Sequence, residues 1–93
     1  MVKVLAERSI KGRNVKEIVR LLRQLRVKAM QQPGYISGET LHAVDDPNSY
    51  LVISIWESLE DWQKWEKHPE RQKMVSEIDS LLGSTPRTRV FTH

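Results

Sequence analysis

Apolar and polar positions give Val2 to Arg8 the character of a strand, and Lys11-Gly12 marks a turn after it. The pattern then changes. Val15, Ile18, Val19, Leu22, Leu25 and Ala29 recur at steps of three and four, one apolar stripe along a helix. Basic residues lie mostly opposite. Asn14 with Glu17 three positions on predicts an N-cap and a capping box. Gln32-Pro33-Gly34 stops the helix, because proline lacks an N–H and glycine tolerates the turn beyond a last helical residue.

Tyr35 to Val44 reads as a second strand, Asp45-Asp46-Pro47-Asn48 as a turn, and Tyr50 to Glu57 as a third strand, so the two strands make a hairpin. In the third strand Leu51, Ile53 and Ile55 point one way. Tyr50, Val52 and Trp56 point the other, with Ser54 among them. Both faces are largely apolar, and a strand apolar on both faces is covered on both. The chain's own helices can cover one; a second subunit is the simplest cover for the other.

Ser58 and Asp61 form another capping box, followed by Leu59, Trp62 and Trp65 at steps of three. His68-Pro69 interrupts this short helix, since a residue before proline avoids the α region. Pro69 then suits the first turn of a further helix, with Met74, Val75, Ile78, Leu81 and Leu82 as its stripe and Gly83 at its end. Thr88 to Thr92 is a last strand, with Arg87 and Arg89 on the alternate face. The order predicts an α+β fold of ferredoxin-like, split βαβ type: a four-stranded antiparallel sheet with helices on one face.

Ninety-three residues make one domain, spanning 1–93, and a domain this small has a thin core. Burying one sheet face against a second copy relieves that. Hydrophobic residues at 39% and charged residues at 29% describe a globular chain. Cysteine is absent, which excludes disulfides, thiolate metal sites and cysteine nucleophiles and suits a reducing compartment. No apolar run approaches a membrane span, and Met1 to Leu5 is too short and too soon charged for a signal peptide, so a cytoplasmic location is expected. The net charge of +3 comes largely from Lys16, Arg20, Arg23, Arg26 and Lys28, read as a solvated helix face rather than a nucleic-acid surface.

Gln32-Pro33-Gly34-Tyr35 before a strand, the run Tyr50 to Trp62, and then Trp65 and Pro69 together resemble the antibiotic-biosynthesis monooxygenase family. The resemblance spans nearly the whole chain. It implies a dimeric α+β barrel, in which two sheets pack face to face, and a small pocket between each sheet and its own helices. Known members include cofactor-independent oxygenases of polyketide-type phenols, haem-degrading proteins and others of unassigned role, so the family speaks for fold more than for chemistry.

The haem-degrading branch resembles a set of Asn near the end of the first strand, Trp on the short helix and an axial His about three turns later. Here Trp65 matches, but the first strand ends Ala6-Glu7-Arg8 and the His position falls near Val75, which has no lone pair to offer iron. Haem chemistry is disfavoured. Cofactor-free oxygenation asks for an apolar pocket, donors to place an oxyanion, and a base. Trp62 and Trp65 are candidates for the pocket wall, Tyr35 and Tyr50 for polar contacts to substrate. His42 and His68 are the catalytic candidates, with His68 as the base. Each has a structural alternative: core packing for the tryptophans, strand packing for Tyr50, a sheet-edge position for His42, and the helix break for His68.

No metal-ligand spacing joins His42, His68 and His93, no GxSxG surrounds Ser54, and no glycine pattern cradles a phosphate. The first strand lacks the aromatics that an RNA-recognition sheet uses to stack bases. The reading is a cofactor-independent monooxygenase, homodimeric, acting on a small aromatic or quinone-type molecule with dioxygen, without nucleic acid or membrane. The alternative is a non-catalytic dimeric module that binds a small molecule or serves a stress response.

Overall fold

The computed structural model describes residues 1–93. Strand β1 (Val2–Ser9) is followed by helix α1 (Val15–Met30), strands β2 (Tyr35–His42) and β3 (Ser49–Trp56), helices α2 (Leu59–Glu66) and α3 (Pro69–Leu82), and strand β4 (Arg87–Thr92). The sheet order is β2-β3-β1-β4, and every pairing is antiparallel. This is the expected split βαβ arrangement.

Register assigns the two faces. Val2 pairs with Trp56, Val4 with Ser54, Ala6 with Val52 and Arg8 with Tyr50. Residues directly opposite share a face, so these eight make up one side, and the helices pack on it. Val2, Val4, Ala29, Trp56, Trp62 and Trp65 form one buried cluster there; Ile10, Ile18, Leu21 and Ile78 form a second, between α1 and α3. Trp56 is fully buried. Removing an indole from water is worth roughly 4–6 kcal/mol at most, from about 150–250 Å² of surface.

The other face holds Leu5, Leu51, Ile53, Ile55, Leu41 and Phe91. No helix of the chain covers it. Leu41 and Phe91, on the two edge strands of this face, are 43% and 42% exposed. Glu7, Glu39, Arg87 and Arg89 surround this patch with charge.

The local signals behave unequally. Ser58 is an extended N-cap; its Oγ accepts from the Asp61 N–H at 3.1 Å and donates to Asp61 Oδ2 at 3.0 Å. The capping box expected at Asn14 and Glu17 does not form. Asn14 has φ −99° and ψ 16°, outside the extended region that aims a capping side chain at the first helical amides. The Glu17 carboxylate is taken instead by Arg20, one turn on.

Pro69 opens α3 as expected, with His68 extended before it. Gly34 has φ +86°, and a Cβ there would stand 2.3 Å from Asp61 Oδ2. Only glycine allows that turn to lie against the start of α2.

Candidate functional site

A cavity of about 510 Å³ opens between the helix-facing side of the sheet and the helices above it. Its floor is β3, which contributes Tyr50, Val52, Ser54 and Trp56 from alternate positions. Along the strand this is roughly 20 Å. Val19, Leu22 and Leu25 of α1 form the roof, at half-buried positions of the stripe expected from sequence. A second depression, of about 580 Å³, lies outside between α1 and α3. It is an open surface groove with charged walls, crossed by the Lys28–Glu70 ion pair at 3.2 Å, and holds none of the candidate residues.

Four of the six candidates meet in the cavity: Tyr35, His42, Tyr50 and Trp65. Trp65 is 3% exposed and belongs to the aromatic core as well as to the wall. Trp62 is buried behind the wall, its ring 5.8 Å from that of Trp56, and does not line the space. Tyr35 stands edge-on to Trp56, centroids 5.4 Å apart. His42 and Tyr50 sit together at the hairpin end, centroids 4.2 Å apart; His42 is exposed, with Nδ1 3.5 Å from the Pro47 carbonyl.

His68 lies apart from the cavity. Its Nδ1 accepts from the Glu70 N–H at 3.2 Å, which makes it the N-cap of α3. That nitrogen's lone pair is thus engaged by the backbone.

Three residues not singled out from sequence join the site. Trp56 donates from its indole N–H to Ser54 Oγ at 3.0 Å, fixing both on the floor. Arg8 is buried and pairs with Asp79 of α3 at 2.7 Å. Arg71, in the first turns of α3, places its guanidinium carbon 5.0 Å from the Trp62 ring centre. Burial holds Arg71 below the usual arginine pKa, and the positive charge of Arg8 adds to that; Glu66 and Asp79 act the other way. Trp56 carried a signal in the alternation of β3. Nothing local marks Arg8 or Arg71, whose sites arise from packing.

No group of three or more His, Cys, Asp or Glu side chains comes together in a way that could hold a metal ion. No helix is long and apolar enough to cross a membrane.

Residues 1–77 match the family model described as antibiotic biosynthesis monooxygenase, and the chain belongs to that family. Protein SchA of Streptomyces halstedii is 28% identical over 57 residues, which are 61% of this chain and 15% of that protein. The chain therefore matches a small part of that relative's length. SnoaB of Streptomyces nogalater, a cofactor-independent oxygenase, superimposes with a TM-score of 0.85 at 21% identity, covering 99% of this chain and 91% of its own. A conserved protein of Methanosarcina mazei Go1 gives a TM-score of 0.88 at 13% identity, covering 97% and 89%. At such identities the likeness carries the fold.

Proposed function

We propose that this protein is a cofactor-independent monooxygenase that takes a planar aromatic or quinone-type molecule into the cavity between sheet and helices. The observation that supports this most is the cavity itself: about 510 Å³, aromatic along its floor and wall, in a chain of the monooxygenase family. Volumes of this order suit ligands of a few fused rings. SnoaB, of the same fold, is described as a cofactor-independent oxygenase.

The chemistry asks little of the protein. An electron-rich phenol or anthrone loses a proton, and its anion passes one electron to dioxygen. The radical and superoxide combine at carbon as a peroxide, which loses water to leave the new carbonyl; one oxygen atom goes to product and one to water. The protein's part is to exclude bulk water, hold the ring flat and stabilise the anion. Trp65 and Trp56 would grip the ring, with Tyr35 and Tyr50 offering hydroxyls to its oxygens. His42 is the remaining histidine of the cavity and would act at its open end; His68, engaged as a cap, would act only if that bond opened.

The functional unit we propose is a cytoplasmic homodimer. Its two uncovered sheet faces would meet over Leu51, Ile53 and Ile55. Oxygen uptake with a panel of anthrones and quinols in chelator-treated buffer tests the activity. Uptake that saturates with substrate, with one oxygen atom in the product, is the expected result. Its absence across the panel sinks the reading.

One observation favours a second reading, a dimeric binding module without turnover. The one histidine that lines the cavity, His42, is exposed, and the Glu39 carboxylate belongs to the opposite face of the sheet, so the interior holds no general base. Oxygen consumption with any phenolic ligand rules this reading out.

A further inference from the structure

The cavity wall is unusually rich in positive charge. It contains Arg8, Arg23, Arg26 and Arg71, while the side chain of Glu39, on the rim strand, belongs to the opposite face of the sheet. Arg8 is neutralised by Asp79 at 2.7 Å. Arg26 donates to the Gly38 carbonyl at 2.6 Å and is exposed to water. Arg23 is exposed too. Arg71 differs from all three. It is half-buried, and its charge has no carboxylate within ion-pair distance. Its single hydrogen bond within the protein is a long one, 3.4 Å, to the Glu66 carbonyl.

A guanidinium has five N–H donors and stays protonated in proteins. Most of the donors of Arg71 are therefore unused by protein groups, beside a cavity lined by aromatic rings. A partly buried cation without a counter-charge is costly to keep in a small domain. Asp79 of α3, which also acts on Arg71, is already committed to Arg8.

Resting on the reading that this cavity takes a planar aromatic molecule, we propose that the ligand is bound as an anion, an ionised phenol or enol whose oxygen is held by Arg71. A guanidinium is flat and presents paired donors, which suits an oxygen lying in the plane of a ring. The positive potential of Arg71 strengthens the acidity of the bound hydroxyl. Its proton leaves to bulk water through the open end of the cavity, and no buried base is needed.

Around Arg71 the charged groups are Glu66 from α2, Arg8 from β1 and Asp79 from α3. From α1 and β2 the cavity adds Arg23, Arg26 and His42. Arginines outnumber carboxylates in this set, so the balance favours an anion. The Trp62 ring, its centre 5.0 Å from the guanidinium carbon, packs against Arg71.

The test compares 7-hydroxycoumarin, whose ionised form has its own absorption band, with 7-methoxycoumarin, its non-ionising twin. Wild-type protein, Arg71→Met and Arg71→Lys are titrated with each across a pH series. The expected result is that wild type binds the hydroxycoumarin at least tenfold more tightly than the methoxycoumarin. Its phenolate band should also appear at lower pH than for the free compound. Arg71→Met should erase the preference while retaining affinity for the methoxycoumarin, and Arg71→Lys should keep part of it.

Equal binding of the two coumarins to wild type, or a preference that survives in Arg71→Met, overturns the anion assignment and leaves the aromatic cavity standing. Failure of both to bind overturns the cavity reading, and this proposal with it. Should Arg71→Met not fold, the wild-type band decides: without a downward shift in its ionisation the proposal fails.

Discussion

Arg8 on the first strand and Asp79 on the last helix are joined by an ion pair of 2.7 Å, with side chains 7% and 22% exposed. The two residues are 71 positions apart in sequence. Removing one member leaves the other charge buried and alone. Asp79→Ala should therefore cost about 3–5 kcal/mol, while the double variant Arg8→Met/Asp79→Ala should recover much of that loss. Urea denaturation of the three proteins checks it. Equal stability of wild type and Asp79→Ala would show the pair to be energetically idle.

Trp65 belongs to the core and to the cavity wall at once. Trp65→Ala is expected to cost about 3–5 kcal/mol, a large part of the roughly 5–15 kcal/mol that holds a domain together. It is a poor probe of function. Trp65→Phe keeps an aromatic body and should stay folded by circular dichroism while its affinity for aromatic ligands falls several-fold. Unchanged affinity would assign Trp65 to the core alone.

Ile53→Asp and Val52→Asp separate the two faces of one strand. Ile53 lies on the uncovered face, so its variant should sediment as a folded monomer if that face joins two copies. Val52 lies under the helices on the cavity floor. Its variant should lose stability by several kcal/mol through a buried unpaired charge. Sedimentation velocity and thermal melts distinguish the outcomes. An Ile53→Asp protein that remains dimeric would move the interface elsewhere.

Arg71 should cost the fold stability when no ligand is bound. Burial lowers its folded pKa, so the unfolded chain holds the proton more tightly than the folded one. For a base shifted downward the cost is present in full below the folded pKa and is relieved as pH rises through it. Across the neutral range nothing relieves it. Arg71→Met is therefore expected to melt at the same temperature as wild type or higher, its thioether resting on Trp62. A Tm lower by several degrees would mean that Arg71 is a structural residue.

Gly34→Ala forces a side chain into a positive φ and against Asp61. A loss of about 1–3 kcal/mol is expected, larger than the roughly 1 kcal/mol of Ser58→Ala, which removes one cap. Thermal melts of the two variants rank them.

The sheet was readable because β3 is apolar on both faces from Tyr50 to Trp56, Ser54 apart, and a strand of that kind admits few architectures. Helix ends marked by proline or glycine were readable for the same local reasons. The unreadable parts are long-range. Leu21 lies off the main stripe of α1 and is buried because α3 packs against it with Ile78. Ile10 sits in a stretch read as a turn, yet it is 1% exposed, closed in by Ile18 and Ile78. Arg8 ends a strand, where an arginine ordinarily reaches water; only the arrival of Asp79 makes its burial tolerable. The site divides in the same way. Tyr35, Tyr50 and His42 point into the cavity because register places them on the helix-facing side. Trp62 lies within α2 and His68 caps α3, and no spacing of three or four could settle how either turns against the sheet.

Strand β3 has one row of side chains in the cavity and the next row on the uncovered face. A single residue inserted into it would turn Val52 and Trp56 outward and carry Ile53 and Ile55 inward, exchanging the two surfaces at once. Sequence drift here is consequently limited to exchange of side chains in place. Changes of length are left to the Asp45–Asn48 connection, where the chain is exposed and no side chain has two duties.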